Sequence, residues 1–264
     1  MGKFDGYLLL SDFDGTLAYS EKELLADGTK VYQKAISREN CDAIRYFQSE
    51  GGLFTLATGR QFTFVKKWED HVIPNTYLCA LNGAHLYDVR SDHTLFSRPM
   101  DEGFIGLAER ILTACPALTE TRFTTLGGSI EIKQGDPILL PAEDPVYKMV
   151  FVTPKEHSTE YSQRIASLIG DRYVSMRSWI NGIEVLMQGA TKGDAVKRLK
   201  TALGERARTV VAVGDYENDL DMIRAADIGY AVENAVDTLK AAADRVTVSC
   251  KQSAIAKIIE ELGS

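Results

Sequence analysis

The chain has 264 residues, 45% of them hydrophobic and 25% charged, and carries a formal net charge of −7. That is the composition of a globular protein with material for one large domain or two modest ones. The acidic balance excludes an extended Lys/Arg surface for nucleic acid or anionic lipid, and the apolar runs are too short to span a bilayer. The start, "MGKFDGYLLL", has no signal-peptide core, and Gly6 stands where a myristoylation motif wants Ser or Thr. Cys41, Cys79, Cys115 and Cys250 lie far apart, so they read as buried thiols in a reducing cytoplasm.

The first apolar run, "YLLLSD" (7–12), has the length of a buried strand and ends in the acids of "DFDGT". Segment 18–35, charged and carrying Gly28, reads as a flap over that strand end, with a short hairpin or helical turn. "SRENCDAIRYFQSEG" (37–51) places Cys41, Ile44 and Phe47 at helical spacing and stops at Gly51-Gly52. "LFTLATG" (53–59) is a strand, 61–70 a polar-aromatic helix and "TYLCALNG" (76–83) another strand. The middle changes character: "SIEIKQ", "KMVFVT", "YVSMRS" and "GIEVLMQG" alternate like strands around one helix at 156–169. Regular βα alternation then resumes with helix 191–204, strand 209–215, helix 218–227 and strand 228–232. Near-continuous apolar strands alternating with helices predict a Rossmann-like parallel sheet covered on both faces. The expectation is an α/β core formed by residues 1–85 and 188–264, with an α+β cap inserted at 86–187.

Ligands of an open parallel sheet bind outside the carboxyl ends of its strands. Three strands here end in small, polar or acidic turns: "LLLSDFDGT" at Asp12 and Asp14, "FTLATGR" at Thr58 and Gly59, and "VVAVGDYENDLD" at Asp215, Asn218 and Asp219. Carboxylates converging at one sheet edge repel each other unless a cation sits among them, and Mg²⁺ prefers a few carboxylates, water and a substrate phosphate. Lys192, at the start of a helix, adds a positive charge to exposed N–H groups, a natural place for a phosphate oxygen. Thr58 and Gly59 offer a hydroxyl and an unhindered N–H. Each piece alone has a bland reading as a turn or a helix cap. Their joint occurrence at strand ends and a helix start favours chemistry.

Together these pieces resemble the haloacid dehalogenase superfamily, over nearly the whole chain. "DFDGT" is similar to its D-x-D-G-T signature, "LATGR" to the threonine motif, "TKGDAV" to the lysine motif and "GDYENDLDM" to G-D-x-x-N-D. "LNGAHLYDVRSDHTLFSRPMD" looks like the entry to the large cap of the Cof-like sugar-phosphatase branch. Val232-Glu233 replaces that branch's usual Met-Gly, and segment 18–35 is longer than its usual flap. The resemblance implies a Mg²⁺-dependent phosphatase acting on a small phosphorylated metabolite, with a sugar phosphate as the expected ester. Asp12 is the implied nucleophile and Asp14 the acid–base, its pKa raised by the neighbouring phosphate dianion. Mg²⁺ is expected on the Asp12 and Asp215 carboxylates and the Asp14 carbonyl, with Asp219 as ligand or support. Thr58, Gly59, Lys192 and Asn218 are expected to hold phosphate.

A phosphotransferase or phosphomutase on the same scaffold stays open, because only the acceptor differs. A calcium loop starting at Asp12 fails at its sixth position, where Leu17 replaces the required Gly. Arg177 and Trp179 could face a substrate or serve the cap core. The exact ester and the oligomeric state are not readable.

Overall fold

A computed structural model describes residues 2–264 apart from 25–29, 69, 72, 73, 89 and 142. The first part of the chain runs β1 (Tyr7–Ser11), β2 (Tyr19–Leu24), β3 (Lys30–Ala35), α1 (Arg38–Ser49), β4 (Leu53–Leu56), α2 (Phe62–Val65), β5 (Leu78–Ala80), β6 (His85–Asp88) and β7 (His93–Ser97). The middle runs α3 (Phe104–Ala114), β8 (Glu120–Thr124), β9 (Ser129–Ile132), β10 (Lys148–Val152), α4 (Ser158–Leu168), β11 (Tyr173–Trp179) and β12 (Gly182–Met187). The last part runs α5 (Lys192–Leu203), β13 (Thr209–Gly214), α6 (Leu220–Ala225), β14 (Ile228–Ala231), α7 (Asp237–Ala242), β15 (Arg245–Val246) and α8 (Ala254–Leu262).

The core sheet is parallel, in the order β15-β14-β13-β1-β4. Leu8, Leu9, Leu10 and Val210 to Val213 are all fully buried, which requires cover on both faces and explains the uninterrupted apolar runs. α1 packs on α8, and Asn40 Oδ1 accepts the Ala256 N–H at 3.0 Å to fix their register. The middle segment forms its own antiparallel sheet, β11-β12-β10-β8-β9, with α3 and α4 against each other. The chain is therefore an α/β core with an inserted antiparallel cap.

Between them lies a small sheet, β5-β6-β7, tied to the core by a bridge from Ala57 to Cys79. It runs across the expected boundary at residue 86, since β6 pairs residues on both sides of it. Arg198 of α5 covers the ring of Phe96 at 3.7 Å, so this sheet also packs on the core.

The flap is a hairpin in which β2 pairs antiparallel with β3 and, among the described residues, with no strand of the other sheets. Part of the flap expectation, residues 25–29, lies outside the described residues. The helix expected over 61–70 is shorter: α2 gives way to a 3-10 turn at Lys66–Trp68. Gln61 supplies no side-chain cap there, and Phe64 and Trp68 instead turn onto the Phe13 ring at 5.6 and 5.4 Å. No helix among the described residues is long and apolar enough to cross a membrane.

Candidate active site

β1 and β13 are neighbours, and their pairing continues one residue past β1, where the Asp12 N–H donates to Val213 O at 2.9 Å. This carries Asp12 to the sheet edge beside the turn that follows β13. The chain then turns back, with the Leu17 and Ala18 N–H groups donating to Asp12 O and Phe13 O. Gly15 has φ of +87° and lies so close to Asp215 that a Cβ would strike its carboxylate. Asn234 Nδ2 holds the same turn by donating to Gly15 O at 2.8 Å.

Lys192 opens α5, whose cap is the Thr191 hydroxyl, and its side chain is fully buried. Its ammonium donates to Asp12 Oδ1 and Asp219 Oδ1, both at 2.6 Å. The other Asp219 oxygen accepts the N–H groups of Asp215 and Tyr216, so both of its oxygens already have partners. Asp215 accepts the Thr16 hydroxyl at 3.3 Å. Oxygens of Asp12, Asp215 and Asp219 lie within 4.8 Å of one another.

These acids are not balanced by one lysine. Burial pushes Asp12 up to about 7, and the Asp219 charge adds to it against the pull of Lys192. Asp215 is pushed up to about 9 by burial and by the charges of Asp12 and Asp219. Burial would lower Lys192, but Asp12 and Asp219 outweigh it and hold the ammonium above its ordinary value. A hard divalent cation between Asp12 and Asp215 would relieve the remaining negative charge, so these residues fit a metal. Asp219, with its oxygens committed, suits the support of Lys192 and of the Asp215 turn better than direct ligation.

Asp14 behaves differently from Asp12. Its carboxylate takes a fork from Arg60, Nε at 2.8 Å and Nη2 at 3.2 Å, plus the Lys34 ammonium at 2.9 Å. Burial would raise its pKa, but Arg60 and Lys34 outweigh burial and lower it. In the ligand-free protein the direction is thus opposite to the rise expected beside a phosphate dianion. Arg60 is itself stacked on Phe64 at 4.5 Å.

The Thr58 N–H donates to Cys79 O, and the Arg60 N–H donates to Thr58 Oγ1 at 3.1 Å, leaving the hydroxyl proton free to point elsewhere. Thr58, Gly59 and Asn218 line the same cleft as Asp12, Asp14 and Asp215, with a volume of about 410 Å³. The opposite wall comes from the cap: Arg122, Trp179, Lys148 and Glu184, with Ser129 and Ser178 between them. Arg177 does not line the cleft; it donates to Glu217 beside Asn218, Nε to Oε2 at 2.9 Å.

Sequence reasoning did not single out Lys34, Arg60, Lys148 or Glu184. Arg60 follows the Thr58-Gly59 turn directly, and a signal for the last two exists: each is a lone charge in an otherwise apolar strand, "KMVFV" and "GIEVLM", and the signs are opposite. Lys34 carries no such mark, because the flap holds several other charges of both signs.

The chain is 25% identical to YxeH of Bacillus subtilis, over 97% of each chain. It is 20% identical to the 5-amino-6-(5-phospho-D-ribitylamino)uracil phosphatase YitU of the same organism, again over 97% of each. Among solved structures, a haloacid dehalogenase-like hydrolase from B. subtilis superposes with a TM-score of 0.78 at 21% identity, covering 97% of this chain and 99% of that one. The subclass IIB sugar phosphatase BT4131 superposes with a TM-score of 0.75 at 19% identity over 97% and 99%. These likenesses concern the fold. The sequence itself matches the haloacid dehalogenase-like hydrolase family over residues 9–115 and 126–259, on both sides of the site and through most of the cap, and the chain belongs to that family.

Proposed function

We propose that the protein is a Mg²⁺-dependent phosphatase that moves the phosphoryl group of a small phosphate monoester to Asp12 and then to water. One observation carries this reading: the Lys192 ammonium, fully buried, bridges Asp12 and Asp219, and Asp12 opens onto a cleft of about 410 Å³ that brings hydroxyls and cations of core and cap to the same acids. A cleft of that size suits a small metabolite. The phosphatase name of YitU, similar along its whole length, supports the reaction class.

An Asp12 carboxylate oxygen attacks phosphorus, the bond to the ester oxygen breaks, and Asp14 passes a proton to the departing alkoxide. Water then attacks the aspartyl-phosphate, Asp14 takes its proton, and phosphate leaves with Asp12 restored. Thr58, the Gly59 N–H, Lys192 and Asn218 hold the equatorial oxygens as charge builds on them. The Asp12 and Asp215 carboxylates and the Asp14 carbonyl would hold Mg²⁺, which when bound neutralises negative charge at the reacting phosphoryl group. Arg60 and Lys34 are drawn from Asp14 toward the phosphate dianion, and without them its carboxyl rises into a range where it can carry the proton.

The test is release of inorganic phosphate from a panel of sugar, nucleoside and aryl phosphates, with Mg²⁺ and with EDTA. Metal-dependent release that Asp12→Asn abolishes is the expected result. Phosphate released equally well by Asp12→Asn, or transferred to a second sugar hydroxyl rather than to water, would overturn it.

A further inference from the structure

Lys148 and Glu184 lie diagonally on neighbouring strands, where Lys148 pairs with Leu186 and Val150 with Glu184. They are 5% and 3% exposed and form a buried ion pair. Burial would raise Glu184, but the charge and hydrogen bond of Lys148 outweigh it and keep the carboxylate ionised. Such a pair adds little to stability over an apolar pair of the same volume, since each ion loses its hydration. The fold of the cap therefore does not account for it.

Apart from a bond to Ser178 on the same sheet, its remaining hydrogen bonds leave the cap. Lys148 Nζ donates to Gly59 O at 2.7 Å. Asn82 Nδ2 donates to Glu184 Oε2, the oxygen that also accepts the Ser178 hydroxyl at 2.7 Å. Asn82 is fully buried, its N–H donates to Thr58 O at 2.9 Å, and its Oδ1 accepts from Asn218 Nδ2 at 3.3 Å. A Cβ at Gly59 would come within 3.2 Å of Asn82 Oδ1 and 3.4 Å of Lys148 Nζ, which shows how closely the three meet. One buried pair in the cap thus touches the Thr58-Gly59 turn directly and reaches Asn218 through Asn82.

We propose that Lys148 and Glu184 are positioning residues that fix the Thr58-Gly59 turn and Asn218 in phosphate-binding geometry when the cap rests on the core. Seating of the cap and grip on the phosphoryl group then form together. The inference rests on the proposed function for the identity of the anion. It implies that the pair acts on the part of the substrate common to every ester. Arg122 and Trp179 on the same sheet, with the guanidinium 5.8 Å from the indole centroid, are left to read the leaving group.

Two variants test this. Lys148→Met combined with Glu184→Gln removes both charges at nearly constant volume. Asn82→Gly cuts the link from Glu184 to Asn218 while leaving the cap pair and its bond to Gly59 intact, and its backbone φ of 58° suits glycine. Each is measured for kcat/KM on glucose 6-phosphate, p-nitrophenyl phosphate and a nucleoside monophosphate, and for Kd of inorganic phosphate by calorimetry with Mg²⁺. Thermal melts report folding.

Displacement of the gripping groups should lower kcat/KM on the order of tenfold to a hundredfold. The factor should be the same for every ester, with a parallel weakening of phosphate binding. Arg122→Ala should instead change the ratio between esters and leave phosphate Kd in place. A loss that differs from ester to ester, or a folded variant with wild-type kcat/KM and phosphate affinity, overturns the assignment. If the double variant does not fold, Asn82→Gly decides alone. If the wild-type protein hydrolyses no ester, the proposed function fails by itself, and the phosphate Kd of the variants still decides this inference.

Discussion

Binding of Mg²⁺ to the metal-free protein should expel protons, and the amount follows from the acid cluster. With Asp12 at about 7 and Asp215 at about 9, the metal-free site at pH 7 holds a proton on Asp215 and a partial one on Asp12. A metal needs both carboxylates ionised, so between about one and two protons should leave per Mg²⁺ bound. The affinity should accordingly rise about tenfold to a hundredfold per pH unit below pH 7 and level off above pH 9. The same groups set the stability. A carboxyl whose folded value is raised binds more protons folded than unfolded between the two values, so metal-free stability should fall as pH rises from about 4 to 9. Lys192 stays charged across that window and does not alter the trend. The assay is calorimetric titration with Mg²⁺ at pH 7 in two buffers of different ionisation enthalpy, repeated at pH 9.5, with thermal melts alongside. Proton release should shrink toward zero at the higher pH, and Mg²⁺ should raise Tm more at pH 8 than at pH 5. Saturable binding at pH 7 with no proton release would refute the reasoning, because the acids would already be ionised or the metal would sit elsewhere.

Asp12→Asn should lower turnover at least about a thousandfold with little change in Tm, read by phosphate release from a contaminant-free preparation. Asp14→Asn should slow the first step strongly for alkyl phosphates and much less for p-nitrophenyl phosphate, whose phenolate leaves unprotonated; a rapid-quench burst distinguishes the two. Ca²⁺ should support turnover poorly beside Mg²⁺, since its looser, higher coordination lets a carboxylate bind through both oxygens; parallel rate measurements after EDTA treatment check this. Lys34→Met takes one cation from Asp14, so the Asp14 carboxyl should titrate at higher pH in the ligand-free protein, as seen by carbon NMR of the carboxylate.

The core of this fold could be read from sequence because its strands are buried on both faces. Runs such as "YLLLSD" and "TVVAVGD" have no other stable use, and their polar ends mark the functional edge of a parallel sheet. Asp12, Asp215, Asp219 and Lys192 meet because each stands at a strand end or a helix start, where short-range signals are strong. The middle was less legible. α3 (Phe104–Ala114) buries Leu107, Ala108 and Ile111, but its helical period is obscured in a region dominated by strand-like runs. The long helix expected over 61–70 failed because tertiary packing of Phe64 and Trp68 on Phe13 competes with a poorly capped local helix. Lys34, Arg60, Lys148 and Glu184 act across chain separations that a single sequence does not connect: Lys148 reaches Gly59, and Lys34 reaches Asp14, only after cap and hairpin have folded back on the core.

Asp12 and Asp14 are two residues apart, yet the protein treats them in opposite ways. Asp12 is buried among acids and pushed up to about 7, so without metal it is only partly ionised. Asp14 lies against Arg60 and Lys34, which hold it ionised. On the proposed reaction each is then in the wrong state for its work: the nucleophile must be ionised and the acid must carry a proton. The cluster of Asp12, Asp215 and Asp219 could hold Mg²⁺, which when bound would supply the charge that ionises the first. The phosphate dianion frees the second by competing for Arg60 and Lys34. Neither correction comes from the protein alone, and the two come from different ligands. On that reaction a phosphoryl group arriving without metal would meet a nucleophile only partly ionised, and metal without phosphate would leave Asp14 held by Arg60 and Lys34. The spacing of two residues matters for the same reason. It puts both carboxylates on one cleft, with Asp12 beside Asp215 and Asp14 against Arg60 and the hairpin's Lys34.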